Sequence, residues 1–135
     1  MSYPIRRIED IDTDEIAALK SAGIRTVEKL LEAAKSPKGR NLLKARTGID
    51  EKRLLRWANI ADKLRIKGMG KGYASLLREV GVDTVKELRY RNPSRLAKTM
   101  AEANKKRRLV RLLPSEKLVS RWVESAKKLS QKITY

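Results

Sequence analysis

Ile8 to Leu64 and Ile66 to Leu129 are two writings of one pattern, and that duplication narrows the fold before any single element is assigned. Setting Ile8 over Ile66 pairs Ile11 with Met69, Leu19 with Leu77, Gly23 with Gly81, Ile24 with Val82, Thr26 with Thr84, Val27 with Val85 and Leu30 with Leu88, an offset of 58. Further on, Arg56-Trp57 pairs with Arg121-Trp122, and Ala61, Lys63 and Leu64 pair with Ala126, Lys128 and Leu129, an offset of 65. The chain is therefore read as two copies of one unit, with seven residues gained in the second.

Within each copy the apolar spacing is helical and the punctuation divides it into four helices. Asp12 with Glu15 has the capping-box pattern, and Gly23 ends the helix it opens. Thr26 caps a second helix striped by Val27, Leu30, Leu31 and Ala34. Ser36-Pro37 starts a third, which ends near Arg46 before Gly48, and Asp50 caps a fourth carrying Leu54, Trp57, Ala61 and Leu64. The second copy repeats this grammar with Gly70 to Val80, Thr84 with Glu87, Asn92-Pro93 and Ser115. No alternating strand pattern occurs, so the expected fold is all-α, about eight short helices in two fused units, 1–64 and 65–135. With no Gly/Ser linker between them, they are expected to pack as one rigid body. The seven extra residues fall near Lys105 to Leu113, where they are expected to lengthen a helix by about two turns until Pro114 stops it.

Three of the seven glycines lie within five residues, in Lys67-Gly68-Met69-Gly70-Lys71-Gly72, between two helically periodic segments. Glycine permits the positive φ of a sharp turn and lets another surface approach the main chain. The turn opens a helix near Lys71, whose unpaired amides and positive dipole end would converge with Lys67 and Lys71 on one anion. No Gly-Lys-Ser/Thr closes a P-loop, and no strand precedes the glycines as a dinucleotide fold requires. An ordinary interhelical turn is the alternative.

Gly-apolar-Gly, followed by three residues and Ala74, closely resembles the hairpin of the helix-hairpin-helix DNA-binding modules. That resemblance implies sequence-independent contact with the nucleic-acid backbone. Each copy is also similar to the tandem helix-hairpin-helix domain at the amino terminus of archaeal and eukaryotic recombinases, and to the repeats of archaeal type V topoisomerase. The residues behind this likeness are Glu79-Val80-Gly81-Val82-Asp83-Thr84-Val85, Asn92-Pro93-Ser94-Arg95-Leu96, Ser115-Glu116-Lys117 and Ala126-Lys127-Lys128-Leu129.

The first copy departs from the pattern where the second is richest in glycine. Glu9-Asp10-Ile11-Asp12-Thr13-Asp14-Glu15 places five acids in seven residues, which repel a polyanion. They either cap the helix that follows, dock a basic partner or hold a divalent cation, although the spacing is not that of an EF-hand. Trp57 and Trp122 sit on apolar stripes and read as core anchors, with base stacking as the other option. Met69 is read as buried between its helices, or else wedged into a base step.

Charge sharpens the contrast between the copies. Residues 1–62 carry 13 basic and 10 acidic side chains, a net of +3, whereas residues 63–135 carry 20 and 6, a net of +14. The second copy is thus the one suited to a polyanion. Lys105, Lys106, Arg107, Arg108, Arg111, Lys117 and Arg121 are the supporting cations, with a solvated charge run as the bland alternative for Lys105 to Arg111. With no Cys and no His, thiol chemistry, soft-metal sites and the commonest general base are all excluded. No catalytic residue, cofactor or metal ligand is assigned. No apolar run approaches 18 residues and Met1 to Arg7 lacks an apolar core segment, so the expectation is an intracellular, cytoplasmic protein, nucleoid-associated if prokaryotic.

The sequence thus points to non-catalytic binding of nucleic acid, duplex DNA first, through Lys67, Gly68, Met69, Gly70, Lys71 and Gly72. Structured RNA, an adaptor role in DNA repair or recombination using the acidic copy for a protein partner, and lysine-dependent cleavage of abasic DNA stand as alternatives.

Overall fold

The computed structural model describes residues 3–8 and 10–135, and of Lys71 the backbone alone. Among these residues the chain is all-α. It has eight α-helices, a 3-10 turn at Ile5–Arg7, and one isolated antiparallel bridge between Pro4 and Thr26 in place of any sheet. Two compact units form, Met1–Asp62 with Lys132–Tyr135, and Lys63–Gln131.

The first unit contains α1 (Thr13–Ser21), α2 (Val27–Ala34), α3 (Pro37–Thr47) and all but the last residue of α4 (Glu51–Lys63). Its helix starts follow the sequence closely. Asp12 Oδ1 accepts the Glu15 amide at 2.8 Å while Glu15 Oε1 accepts the Asp12 amide at 3.1 Å, a complete capping box. Thr26 accepts from the Lys29 amide, and Ser36 accepts from the Gly39 amide with Pro37 at the first helical position. Leu19, Leu30, Leu31, Leu54 and Trp57 fill the core.

The C-terminal tail departs from the expected division, because residues 132–135 belong to the first unit rather than to the second copy. Ile133 is buried, the Thr134 amide donates to Lys35 O at 2.8 Å, and the buried Arg40 guanidinium donates to Ala34 O at 2.9 Å and Thr134 O at 2.8 Å. A guanidinium taken out of water needs its donors paired, and the tail's carbonyl supplies one acceptor.

The second unit contains α5 (Lys71–Glu79), α6 (Val85–Arg89), α7 (Pro93–Arg107) and α8 (Glu116–Lys128). Val119, Trp122, Val123 and Ala126 form the buried stripe of α8, which packs on α6 and α7. Arg89 donates to Ala126 O at 2.9 Å and Leu129 O at 2.7 Å, closing the C-terminal end of α8. The same chain reversal follows α1 and α5. Gly23 and Gly81 both take left-handed φ, +85° and +88°, and the next amide reaches back to Leu19 O at 2.9 Å in one unit and to Leu77 O at 2.8 Å in the other.

The extra residues do not lengthen α7 up to Pro114. The helix stops at Arg107, four residues longer than α3, and Arg108 takes a left-handed φ of +48°. Asn104 ends it: its side chain accepts from the Val110 amide at 3.0 Å and donates to Val110 O at 2.9 Å, folding the chain back over the last turn. A side chain that offers the backbone alternative partners competes with continued helix.

At the end of α4 lies a buried cation. Lys63 Nζ donates to Val82 O at 3.2 Å and Ala74 O at 3.4 Å, and its burial lowers its pKa to about 8.

Candidate nucleic-acid interface

The glycine hairpin is shaped by two apolar side chains that turn inward. Ile66 and Met69 are both buried, and between them the chain reverses at Gly68, whose φ of +83° favours glycine. Lys67 and Gly68 are left on the surface. The Met69 amide donates to Ile66 O at 3.1 Å, so neither its side chain nor its amide is available to a ligand, and Met69 leaves the set of candidate contacts.

Gly70 is the N-cap of α5, with φ −91° and ψ 172°. Asp12, Thr26, Ser36, Thr84, Asn92 and Ser115 each accept an amide of the helix they open, whereas Gly70 supplies no side-chain acceptor to α5. A Cβ built on Gly70 would meet nothing within 4 Å, so the space over the N-cap itself is open. Amides at a helix N-terminus present partial positive charge, and an oxyanion is the acceptor they suit. The Lys71 side chain, expected to join this site, lies outside the described residues.

Gly72 does not share that openness. A Cβ there would lie 2.9 Å from Val110 Cγ1 and 3.3 Å from Leu109 O, so this glycine makes room for the chain returning from α7. Its absent side chain serves packing, so only its backbone amide, in the first turn of α5, remains for a contact. Tyr73, one residue on, donates its hydroxyl to Leu112 O at 2.9 Å and is likewise engaged by that returning segment.

Beside the hairpin, Lys67, Gly68, Leu118, Ser120, Arg121, Glu124, Ser125 and Lys128 line a groove of about 570 Å³. Glu124 pairs with Lys127 at 3.2 Å, which offsets the one carboxylate on its wall. Lys67 and Arg121, far apart in sequence, meet here. Lys128 joins them; its place opposite Lys63 in the repeat gave no hint of that, since Lys63 is buried.

The other expected cations are not gathered into the same groove. Lys106 and Arg107 line a separate one of about 330 Å³ together with Glu79 and Glu102, and Arg107 Nε lies 3.6 Å from Glu79 Oε1. Lys105, Arg108, Arg111 and Lys117 are exposed. They add to the field of the unit without defining a pocket.

The acidic hairpin of the first unit is occupied by its own chain. Asp10 accepts from Trp57 Nε1 at 2.9 Å and from Arg56 Nη2, and its backbone carbonyl accepts from Arg53 at 2.6 Å. Arg53 Nε donates to Glu15 Oε2 at 2.5 Å; that hydrogen bond holds the Glu15 pKa below the usual carboxylate range and raises that of Arg53. Asp12 caps α1, Asp14 is exposed, and Glu9 lies outside the described residues. Among the described residues no group of three metal-ligating side chains comes together, and no helix is long and apolar enough to cross a membrane.

The described residues thus form an all-helical chain of two units, one with its acidic hairpin bonded internally and one whose glycine hairpin opens a helix without a side-chain cap. The chain belongs to the family described as Domain of unknown function (DUF4332), which it matches over residues 9–129. No curated protein and no solved structure matches it.

Proposed function

We propose that this protein binds nucleic acid without catalysis and with little regard to sequence, taking the backbone phosphates of duplex DNA at the N-terminus of α5. The observation behind this is Gly70: the helix start it opens has no side-chain cap, is open over its N-cap, and stands beside a groove holding Lys67, Arg121 and Lys128. The resemblance of Gly68 to Ala74 to the helix-hairpin-helix turn supports the same assignment, as does the net +14 of residues 63–135. Phosphate contacts position a protein on a duplex but read no base edge, so affinity should depend steeply on salt and weakly on sequence.

An adaptor role for the first unit draws less support, since Asp10, Asp12 and Glu15 already serve Trp57, Arg53, Arg56 and the start of α1. Lysine chemistry on abasic DNA would need a reachable, neutral amine, whereas Lys63, whose pKa is lowered, is enclosed and donates to two carbonyls. A DNA-associated protein of the cytoplasm fits this function best.

The test is fluorescence anisotropy with two unrelated duplexes, single-stranded DNA and hairpin RNA, each across a range of salt. Similar affinity for both duplexes above the other ligands, with a linear fall against log salt, is expected. Preference for RNA would replace duplex DNA with structured RNA as the ligand, and equal binding to all four would reduce the interaction to net charge.

A further inference from the structure

We propose that the indole N–H of Trp122, with Arg121 and Lys67, forms a second oxyanion site beside the α5 start, which takes a non-bridging oxygen of a nucleic-acid phosphodiester. This rests on the phosphate-binding role given above to the glycine hairpin and adds a position to it. Its basis is a comparison of the two units at matching places.

Trp57 and Trp122 correspond, 65 residues apart, and both are fully buried. Asp10 and Gly68 correspond, 58 residues apart. In the first unit the Asp10 carboxylate accepts from Trp57 Nε1 at 2.9 Å and from Arg56, with Arg53 Nη1 at 4.0 Å. In the second unit Arg121 stands in the place of Arg56 and Leu118 in that of Arg53, but the position of the carboxylate is taken by glycine. Trp122 Nε1 has no hydrogen-bond partner among the described residues, and it lies 3.7 Å from where a Cβ on Gly68 would be. The first unit thus carries within its own chain the anion that the second unit receives from outside.

An indole N–H is a donor with no acceptor capacity, and a lone pair satisfies it far better than the tilted ring of Tyr73, whose centroid lies 5.1 Å from that of Trp122. A buried polar group without a partner is uncommon and calls for a ligand, ion or water to pair it. The approach is along Gly68, which has no side chain, into the groove lined by Lys67, Leu118 and Arg121. Leu118, half-buried and 3.6 Å from the same Cβ position, is the side chain that must yield for an oxygen to reach the indole edge. Three cations against one carboxylate already paired with Lys127 favour a phosphodiester over a neutral acceptor.

The indole N–H resonances of Trp57 and Trp122 give a direct reading in ¹⁵N-labelled protein, titrated at constant ionic strength with a short DNA duplex, inorganic phosphate and an acidic peptide. The duplex is expected to move the Trp122 indole resonance downfield while that of Trp57 stays. Trp122→Phe is expected to fold and to bind duplex about ten- to 150-fold more weakly, the effect of one hydrogen bond to a charged acceptor. Arg121→Gln, on an exposed side chain, is a second variant expected to weaken binding without touching the core. Duplex binding that shifts the Gly70 and Gly72 amides but leaves the Trp122 indole unmoved overturns this site and spares the hairpin. A shift produced by the acidic peptide and not by the duplex overturns the phosphodiester as its ligand. No duplex binding at all removes both.

Discussion

Gly70→Asp separates the stability of the second unit from its proposed activity, because the first unit shows what an aspartate does at that position. Gly70 corresponds to Asp12, and the two have nearly the same backbone, φ −91° and ψ 172° against φ −95° and ψ 173°. An aspartate can therefore adopt the conformation without strain, and a Cβ meets nothing within 4 Å. Its carboxylate would cap the Tyr73 amide, three residues on, as Asp12 caps that of Glu15. Asp over Gly as N-cap contributes a few tenths of a kcal/mol, the dipole roughly 0.3–1 kcal/mol, and the loss of glycine freedom in the unfolded chain about 0.4–1 kcal/mol. Together these give a gain of about 1 kcal/mol, a rise in Tm of roughly 3–6 °C. The same carboxylate occupies the amides meant for a phosphate and repels it. Losing one charge-assisted contact costs about 1.5–3 kcal/mol, or about ten- to 150-fold in affinity, and the slope of log K against log salt should flatten by about 0.9. Thermal unfolding followed by circular dichroism and anisotropy with a duplex at several salt concentrations measure the two effects. A variant that melts higher and binds DNA unchanged would refute the role of the α5 start.

Three further outcomes follow from the same structure. Trp57→Phe removes a hydrogen bond to a carboxylate and should lower the stability of the first unit by about 1.5–3 kcal/mol in chemical denaturation, whereas Trp122→Phe removes a donor that has no partner and should cost less. Lys63, with its pKa lowered to about 8 by burial from an ordinary value of 10.5, binds fewer protons folded than unfolded between those limits. Stability should therefore rise as pH increases from about 8 to 10.5 and fall as pH drops through 8, by about 3 kcal/mol from this group; denaturant midpoints of Lys63→Met, compared with the parent across that range, should lack this rise. Asn104→Ala loses both bonds to Val110 and should speed amide hydrogen exchange in residues 105–111 while leaving exchange in the first unit unchanged.

Much of the fold was legible because its helix boundaries are set by local chemistry. Asp12, Thr26, Ser36, Thr84, Asn92 and Ser115 act within three residues of themselves, so a sequence pattern and a hydrogen bond say the same thing. The end of α7 was not legible, since Arg108 carries no stop signal and the cause is a tertiary-like staple from Asn104 to Val110. The packing role of Gly72 was hidden for a related reason. Its spacing matches Gly68 and Gly70, yet the atoms that require it to be small come from Leu109 and Val110, nearly forty residues away. The site was legible at Lys67, Gly68, Gly70 and Arg121. Trp122 is the core anchor that its apolar stripe predicts; its unpaired N–H emerges only when the place of Asp10 is followed to Gly68 in three dimensions. The tail's return to Arg40 and Lys35 depends on a pairing 94 residues apart, for which no periodicity or motif gives a signal.

The most direct measurement is an amide chemical-shift map of the ¹⁵N-labelled protein titrated with a short duplex at moderate salt. Shifts concentrated on the backbone of Lys67, Gly68, Gly70, Lys71 and Gly72, with the matching amides of the first unit, Asp10 to Asp14, unmoved, are the expected result. Shifts spread over Lys105 to Arg111 and the lysines of both units, with the Gly70 region silent, would contradict it and leave charge alone as the source of binding.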